Sequence, residues 1–128
     1  MLIDTTNLVP YALLFLRIVI GIIFFSSGKS HAQHPAERSK SIGMTPITTS
    51  ILGIAEIIGA ISIAFGIFTQ IGALILMMTM VGALYKKIAL WNTKFYEDKG
   101  YGWHYDVLLL LGLLVIFATS GGYLTIFY

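Results

Sequence analysis

Residues 46–84 read PITTSILGIAEIIGAISIAFGIFTQIGALILMMTMVGAL. Two long apolar runs meet at Gly66-Ile67-Phe68-Thr69-Gln70 with almost nothing between them. Each run approaches the ~17–25 residues a helix needs to cross a bilayer. So short a joint requires the two runs to form an antiparallel membrane hairpin. Glu56 stands in the middle of the first run. An acid at the centre of a membrane helix costs roughly 2.5–3.5 kcal/mol on insertion scales, so it needs a partner or a task.

Working outward from the hairpin, PYALLFLRIVIGIIFFSS (10–27) reads as a preceding span and the apolar run after His104 as a following one. The expected helices are 10–28, 46–68, 70–90 and 104–120. Pro10 suits a first helical turn, where its missing N–H is harmless. Thr45 is placed to cap and Pro46 to begin the second helix. Ser120-Gly121-Gly122 is a good terminator for the last. The composition agrees: 57% of the chain is hydrophobic and 11% charged, against about 25% charged in soluble domains. The fold expected is all-α, a single integral membrane four-helix bundle over residues 1–128. The N-terminus has no basic region before its apolar run, so it is not read as a secretory signal.

Charge placement sets an orientation. Lys29, Arg38 and Lys40 lie between the first two spans, and Lys86, Lys87, Lys94 and Lys99 between the last two. The two tails and the hairpin joint carry no Lys or Arg. By the positive-inside rule, loops 28–45 and 86–103 face the cytoplasm of a prokaryotic inner membrane, with both termini outside. Trp91, Phe95, Tyr96, Tyr101, Trp103 and Tyr105 crowd the second loop as an interfacial belt, with Tyr123, Phe127 and Tyr128 available for the opposite face.

Several chemistries are excluded. The chain has no cysteine, so it offers no thiol–disulfide exchange, Fe–S cluster or Cys-ligated zinc. No histidine lies deep in an expected span, which argues against haem. The formal charge of +2 gives no reason to expect nucleic acid. His31 and His34 are three apart, but no third ligand is apparent and no metal site is expected.

The candidate site residues are the charges inside or beside spans. Arg17 lies about 10 Å from the outer end of its span and Glu56 about 15 Å from the inner end of its antiparallel neighbour. Across a ~30 Å core their Cα atoms would differ by about 5 Å in depth, so an intramembrane Arg17–Glu56 ion pair is expected. The plainer alternative is a pair that only fixes helix register. His104 and Asp106, beside Trp103, form a second cluster able to pass protons from the inner surface. An acid there also suits a helix start. Two residues apart on a helix, they point in different directions.

At Met44-Thr45-Pro46, Glu56-Ile57-Ile58-Gly59 and Gly66-Ile67-Phe68-Thr69, together with Arg17 and Gly21, Gly28-Lys29 and GWHYDVLLL (102–110), the chain resembles the DoxX family of small prokaryotic membrane proteins. It departs where Ser27-Gly28 stands for a common His-Gly, with His31 downstream, and where Gln70 stands for a common Arg. The resemblance implies a four-helix membrane bundle, and links the chain to thiosulfate:quinone and quinol-oxidase assemblies, membrane oxidoreductase complexes and oxidative-stress responses. The function expected is a quinone-associated subunit of a membrane oxidoreductase or respiratory complex. Arg17 and Glu56 would serve acid–base and quinone contacts, Trp103 would flank the ring, and His104 and Asp106 would relay protons. The electron donor would be another membrane or peripheral subunit, and a homo-oligomer is also compatible. The alternatives are a non-catalytic structural or assembly subunit and a small proton-coupled transporter.

Overall fold

The computed structural model describes residues 3–97, 102–122, 124 and 125, with the backbone alone at 38, 41 and 42. Lys99, Tyr101, Tyr123, Phe127 and Tyr128, used above for charge and aromatic placement, lie outside the described residues. The chain is helical: α1 (Val9–Gln33), α2 (Pro35–Ile42), α3 (Pro46–Phe65), α4 (Thr69–Tyr85) and α5 (Trp103–Thr119). A 3-10 turn at Thr6–Leu8 leads into α1, and one π-helical stretch, Lys86–Leu90, continues α4. Ahead of α1, Asp4 Oδ1 accepts from the Thr6 hydroxyl (2.7 Å) and amide (3.1 Å). These bonds hold its carboxyl below the ordinary value.

The helix ends follow from local chemistry. The Thr45 hydroxyl accepts from the Thr48 amide (3.2 Å), and Pro46 occupies the first turn of α3. Gly66, at φ +71°, ends α3 in the left-handed conformation that costs glycine least. Ser62 Oγ then reaches the Ile67 and Phe68 carbonyls (2.5 and 3.1 Å), tying the joint to α3. Gln70 Nε2 donates to the Phe117 carbonyl (3.0 Å), linking the start of α4 to the end of α5. Ser120, Gly121 and Gly122 all have positive φ and terminate α5.

Three stretches are long and apolar enough to cross a membrane: Thr6–Gln33, Pro46–Phe65 and Thr69–Leu90. The expected fourth span corresponds to α5, which has 17 residues and is about 25 Å long, below the ~30 Å hydrocarbon thickness. The first span differs most from expectation: α1 continues past residue 28 to Gln33 and carries His31 on its last turn.

The surface is apolar, and the apolar core also encloses a few charged side chains. Ile20, Phe24, Ile63, Leu76, Leu113 and Ile116 fill a core shared by α1, α3, α4 and α5. Yet Phe15, Ile51, Met78 and Leu108 face outward, each more than 60% exposed, while Arg17, Glu56 and Asp106 are buried. In water this distribution would be costly. In lipid it is the expected one, because exposed apolar groups lose nothing and polar groups must be satisfied inside.

Lipid offers no hydrophobic drive between helices, so association depends on close packing of small residues. At the α1–α3 crossing, a Cβ on Gly28 would lie 2.6 Å from the Gly53 carbonyl, and one on Gly53 2.6 Å from the Gly28 carbonyl. Higher up, a Cβ on Gly21 would meet Ala64 Cβ at 3.0 Å. Gly59 and Gly72 make the corresponding approach between α3 and α4. These contacts fix the register. Gly28 sits beside Gly53 and Glu56, whereas Arg17 sits beside Gly66.

Candidate functional site: a buried histidine–glutamate pair

That register brings together the last turns of α1 and the middle of α3. Ser27 and His31 are four residues apart and share the face of α1 that carries the backbone contact. Glu56 follows Gly53 by three residues on the facing helix. His31 Nδ1 lies 3.3 Å from Glu56 Oε1, with side-chain exposures of 6% and 3%. Ser27 Oγ approaches the same nitrogen at 3.5 Å. His31 Nδ1 is thus shared between the Glu56 carboxyl group and the Ser27 hydroxyl.

Glu56 Oε2 is buried and has no hydrogen-bond partner among the described residues. One carboxyl oxygen thus faces an imidazole, and the other is left without a partner among the described residues. Burial without solvent makes an isolated carboxylate costly, and the histidine offsets that cost. Gly28 and Gly53 are required here because a side chain at either position would force apart the backbones that hold the pair.

The expected Arg17–Glu56 pair does not form. Glu56 lies at the level of Gly28, eleven residues along α1 from Arg17, a separation of about 16 Å. The expectation aligned the ends of the two helices, but α1 overhangs α3 and the glycine contacts set a different offset. Arg17 is fully buried, and its Nη2 donates to the Leu124 carbonyl (2.5 Å). A single ring-sized ligand cannot touch both charges.

His104 and Asp106 diverge, as their spacing dictates. Asp106 is buried, and its Oδ2 lies 2.7 Å from Lys87 Nζ. This is a close ion pair rather than an aligned hydrogen bond. Lys87 reaches it from the π-helical stretch, which turns the chain by an extra residue beyond α4. His104 is partly exposed; its Nδ1 donates to the Phe95 carbonyl (2.6 Å), and its ring stacks on Tyr96 at 4.5 Å. Trp103 meets Phe95 edge-on at 4.5 Å. His104 and Trp103 thus belong to an aromatic knot that folds the second loop onto α5, on the side away from Asp106.

His31 and Lys87 are the residues the sequence reading did not place in the site. The Ser27–His31 spacing, beside a glycine on the same face, was the available signal for His31.

Two open apolar grooves flank α3 on the outside. One, of about 350 Å³, has Gly21, Ala60 and Ala64 in its floor and Phe25 and Phe65 at its sides. The other, of about 300 Å³, follows the α3–α4 joint past Ser62, Ile67 and Phe68. Glu56, Arg17 and Asp106 line neither.

Comparison with known proteins covers the helices that build the pair. The DoxX family model matches residues 12–87, which include Arg17, His31, Glu56 and Lys87 and stop before Asp106. A Bacillus subtilis (strain 168) protein named "Putative oxidoreductase CatD" is 32% identical over 74 residues, 56% of this chain and 55% of the relative. The match therefore spans about half the length of that relative. No solved structure matches the chain. With most of α1 and all of α2, α3 and α4 inside the matched region, the chain belongs to the DoxX family.

Proposed function

We propose that the chain is a quinone-associated subunit of a membrane oxidoreductase, with the His31–Glu56 pair as its proton-exchanging group. The observation that carries this reading is a buried imidazole–carboxylate pair with one carboxylate oxygen free of partners among the described residues. α5 completes a four-span bundle, tilting little or drawing the bilayer thin around its short length. The end of the bundle bearing Lys29, Lys40, Lys86, Lys87 and Lys94 faces the cytoplasm of a prokaryotic inner membrane, and both termini face outward.

The residues fit a quinone in two respects. Glu56 Oε2 can accept the hydrogen bond of a quinol hydroxyl, and the apolar groove over Gly21, Ala60 and Ala64 lies along the same α1–α3 seam, one helical turn from Glu56, which does not line it. A bound quinone would take two electrons and two protons to become a quinol. Electrons come from a partner oxidoreductase, since a chain without cysteine holds no thiol couple or Fe–S cluster. Glu56 delivers one proton from Oε2 and, re-protonated from the basic end where Asp106 and Lys87 lie, the second, while His31 orients the carboxyl group through Oε1. The similarity to a relative whose name contains "oxidoreductase" supports this class. A second reading, a non-catalytic assembly subunit, is favoured by the tight Gly28–Gly53 contact, which would need just such a pair to lock its register.

Mass spectrometry of quinones and lipids that co-purify in mild detergent tests the proposal. Wild type should carry a quinone at a stoichiometry that falls in Glu56→Gln and His31→Gln, with helix content retained. Equal or absent quinone in all three folded proteins would leave the assembly reading in its place.

A further inference from the structure

The basic end of the bundle carries a surplus of positive charge. Segments 28–45 and 86–106 hold seven Lys and Arg against four Asp and Glu, whereas at the opposite end Asp4 precedes α1. Two of the four acids are already engaged: Asp106 pairs with Lys87, and Glu97 Oε1 accepts from the Lys94 amide (2.7 Å). Part of the surplus gathers where α2 turns into α3. Gly43 closes α2 at φ +70°, and a Cβ there would lie 4.0 Å from both Lys86 Nζ and Trp91 Cζ2. The α2–α3 turn thus meets the π-helical stretch and the indole that ends it. Lys40 is exposed on the last turn of α2, just before Gly43.

What adjoins this cluster is apolar. Ile47, Ile51, Ile54 and Ile58 follow one another three or four residues apart on an exposed face of α3. Tyr85, Ile88 and Leu90 are exposed at the end of α4 and along the π-helical stretch. The isoleucine stripe starts in the first turn of α3 and ends at Ile58, which lines the groove between α3 and α4. Lysines at the rim, an indole beside them and an apolar stripe beneath complement an amphiphile with a negative head. A soluble anion would use the lysines and gain nothing from the stripe.

We propose that the turn at Gly43, with Lys40, Lys86 and Trp91, binds the headgroup of an anionic phospholipid from the adjoining leaflet. One acyl chain of that lipid lies along Ile47, Ile51 and Ile54. This site is independent of the role given to the His31–Glu56 pair.

The chain's two tryptophans, Trp91 and Trp103, both lie at this end, so their fluorescence reads the lipid beside it. The test reconstitutes the full chain in phosphatidylcholine vesicles that contain a minor fraction of brominated phosphatidylglycerol or, separately, of brominated phosphatidylcholine. Phosphatidylglycerol should quench more than phosphatidylcholine at the same fraction, and most of the excess should vanish at about 1 M salt, where the screening length is ~3 Å. The excess should persist in Trp103→Phe, with Trp91 as sole reporter. Lys40→Gln and Lys86→Gln should each lower the relative affinity for phosphatidylglycerol by about fivefold. Equal quenching by the two lipids would overturn the proposal, as would an excess unchanged in both lysine variants or lost in Trp103→Phe. Displacement of phosphatidylglycerol by inorganic phosphate at constant ionic strength would also overturn it, and would assign the cations to a soluble anion.

Discussion

Replacing Gly53 by alanine tests the α1–α3 crossing on which the site depends. The added methyl would stand 2.6 Å from both the Ala32 amide nitrogen and the Gly28 carbonyl oxygen, and 2.9 Å from His31 Cβ. Ordinary contact begins at 3.4 Å, and two of these neighbours are backbone atoms that cannot rotate away. The helices must part by up to about 0.8 Å at this level, at an overpacking cost of about 1–3 kcal/mol. Alanine's better helix propensity returns about 0.5–1 kcal/mol, so a net loss of up to about 2.5 kcal/mol is expected. Gly82→Ala is the control, because nothing lies within 4 Å of a Cβ there. It should gain the propensity term alone. Titration with SDS in mixed micelles, followed by far-UV circular dichroism, gives both values. The difference between the variants is the contact cost, and equal stabilities would refute the backbone-on-backbone crossing. Separation of the helices also lengthens the 3.3 Å His31–Glu56 contact, so Gly53→Ala should impair any function of the pair beyond its effect on stability.

Other consequences are open to measurement. Lys87→Met strands the buried Asp106 carboxylate and should destabilise by about 1–3 kcal/mol, whereas the double variant with Asp106→Asn should recover most of that loss in a double-mutant cycle. Gly66→Ala forces a side chain into φ +71° against Arg17 and Thr125, and should cost about 1–2 kcal/mol from the left-handed conformation alone, read by the same SDS titration. Ile54→Lys, at a position 53% exposed, would be harmless on a soluble protein. Here it should cost roughly 2.5–3.5 kcal/mol of insertion free energy and lower the yield in the membrane fraction; an unchanged yield would contradict a lipid-facing α3.

Much of the architecture was legible in the chain. The apolar runs, the Thr45-Pro46 start, the Gly66 stop and the Ser120-Gly121-Gly122 terminator are local signals, and each acts through backbone conformations that neighbouring residues dictate. The Arg17–Glu56 expectation failed because it needed the offset between two helices, which no local signal carries. That offset is set where Gly28 meets Gly53, and nothing in either run alone says which glycines will touch. The same error kept His31 out of the bundle: a span ended at residue 28 leaves it in a loop, weighed there only as a ligand beside His34, while α1 in fact carries it one turn beyond Ser27 on the inward face. Asp106 presents a different case. Its burial follows from helical spacing, but its partner Lys87 depends on a π-helical stretch that Lys86–Leu90 does not announce by composition.

The most direct test of the proton role of Glu56 is infrared difference spectroscopy of the protein in quinone-containing membranes, recorded on reduction of the quinone pool. The account predicts a change in the carboxyl C=O stretching region that is lost in Glu56→Gln and shifted in His31→Gln. A spectrum in which wild type and Glu56→Gln coincide would contradict it, and would leave the pair as a device that holds α1 against α3.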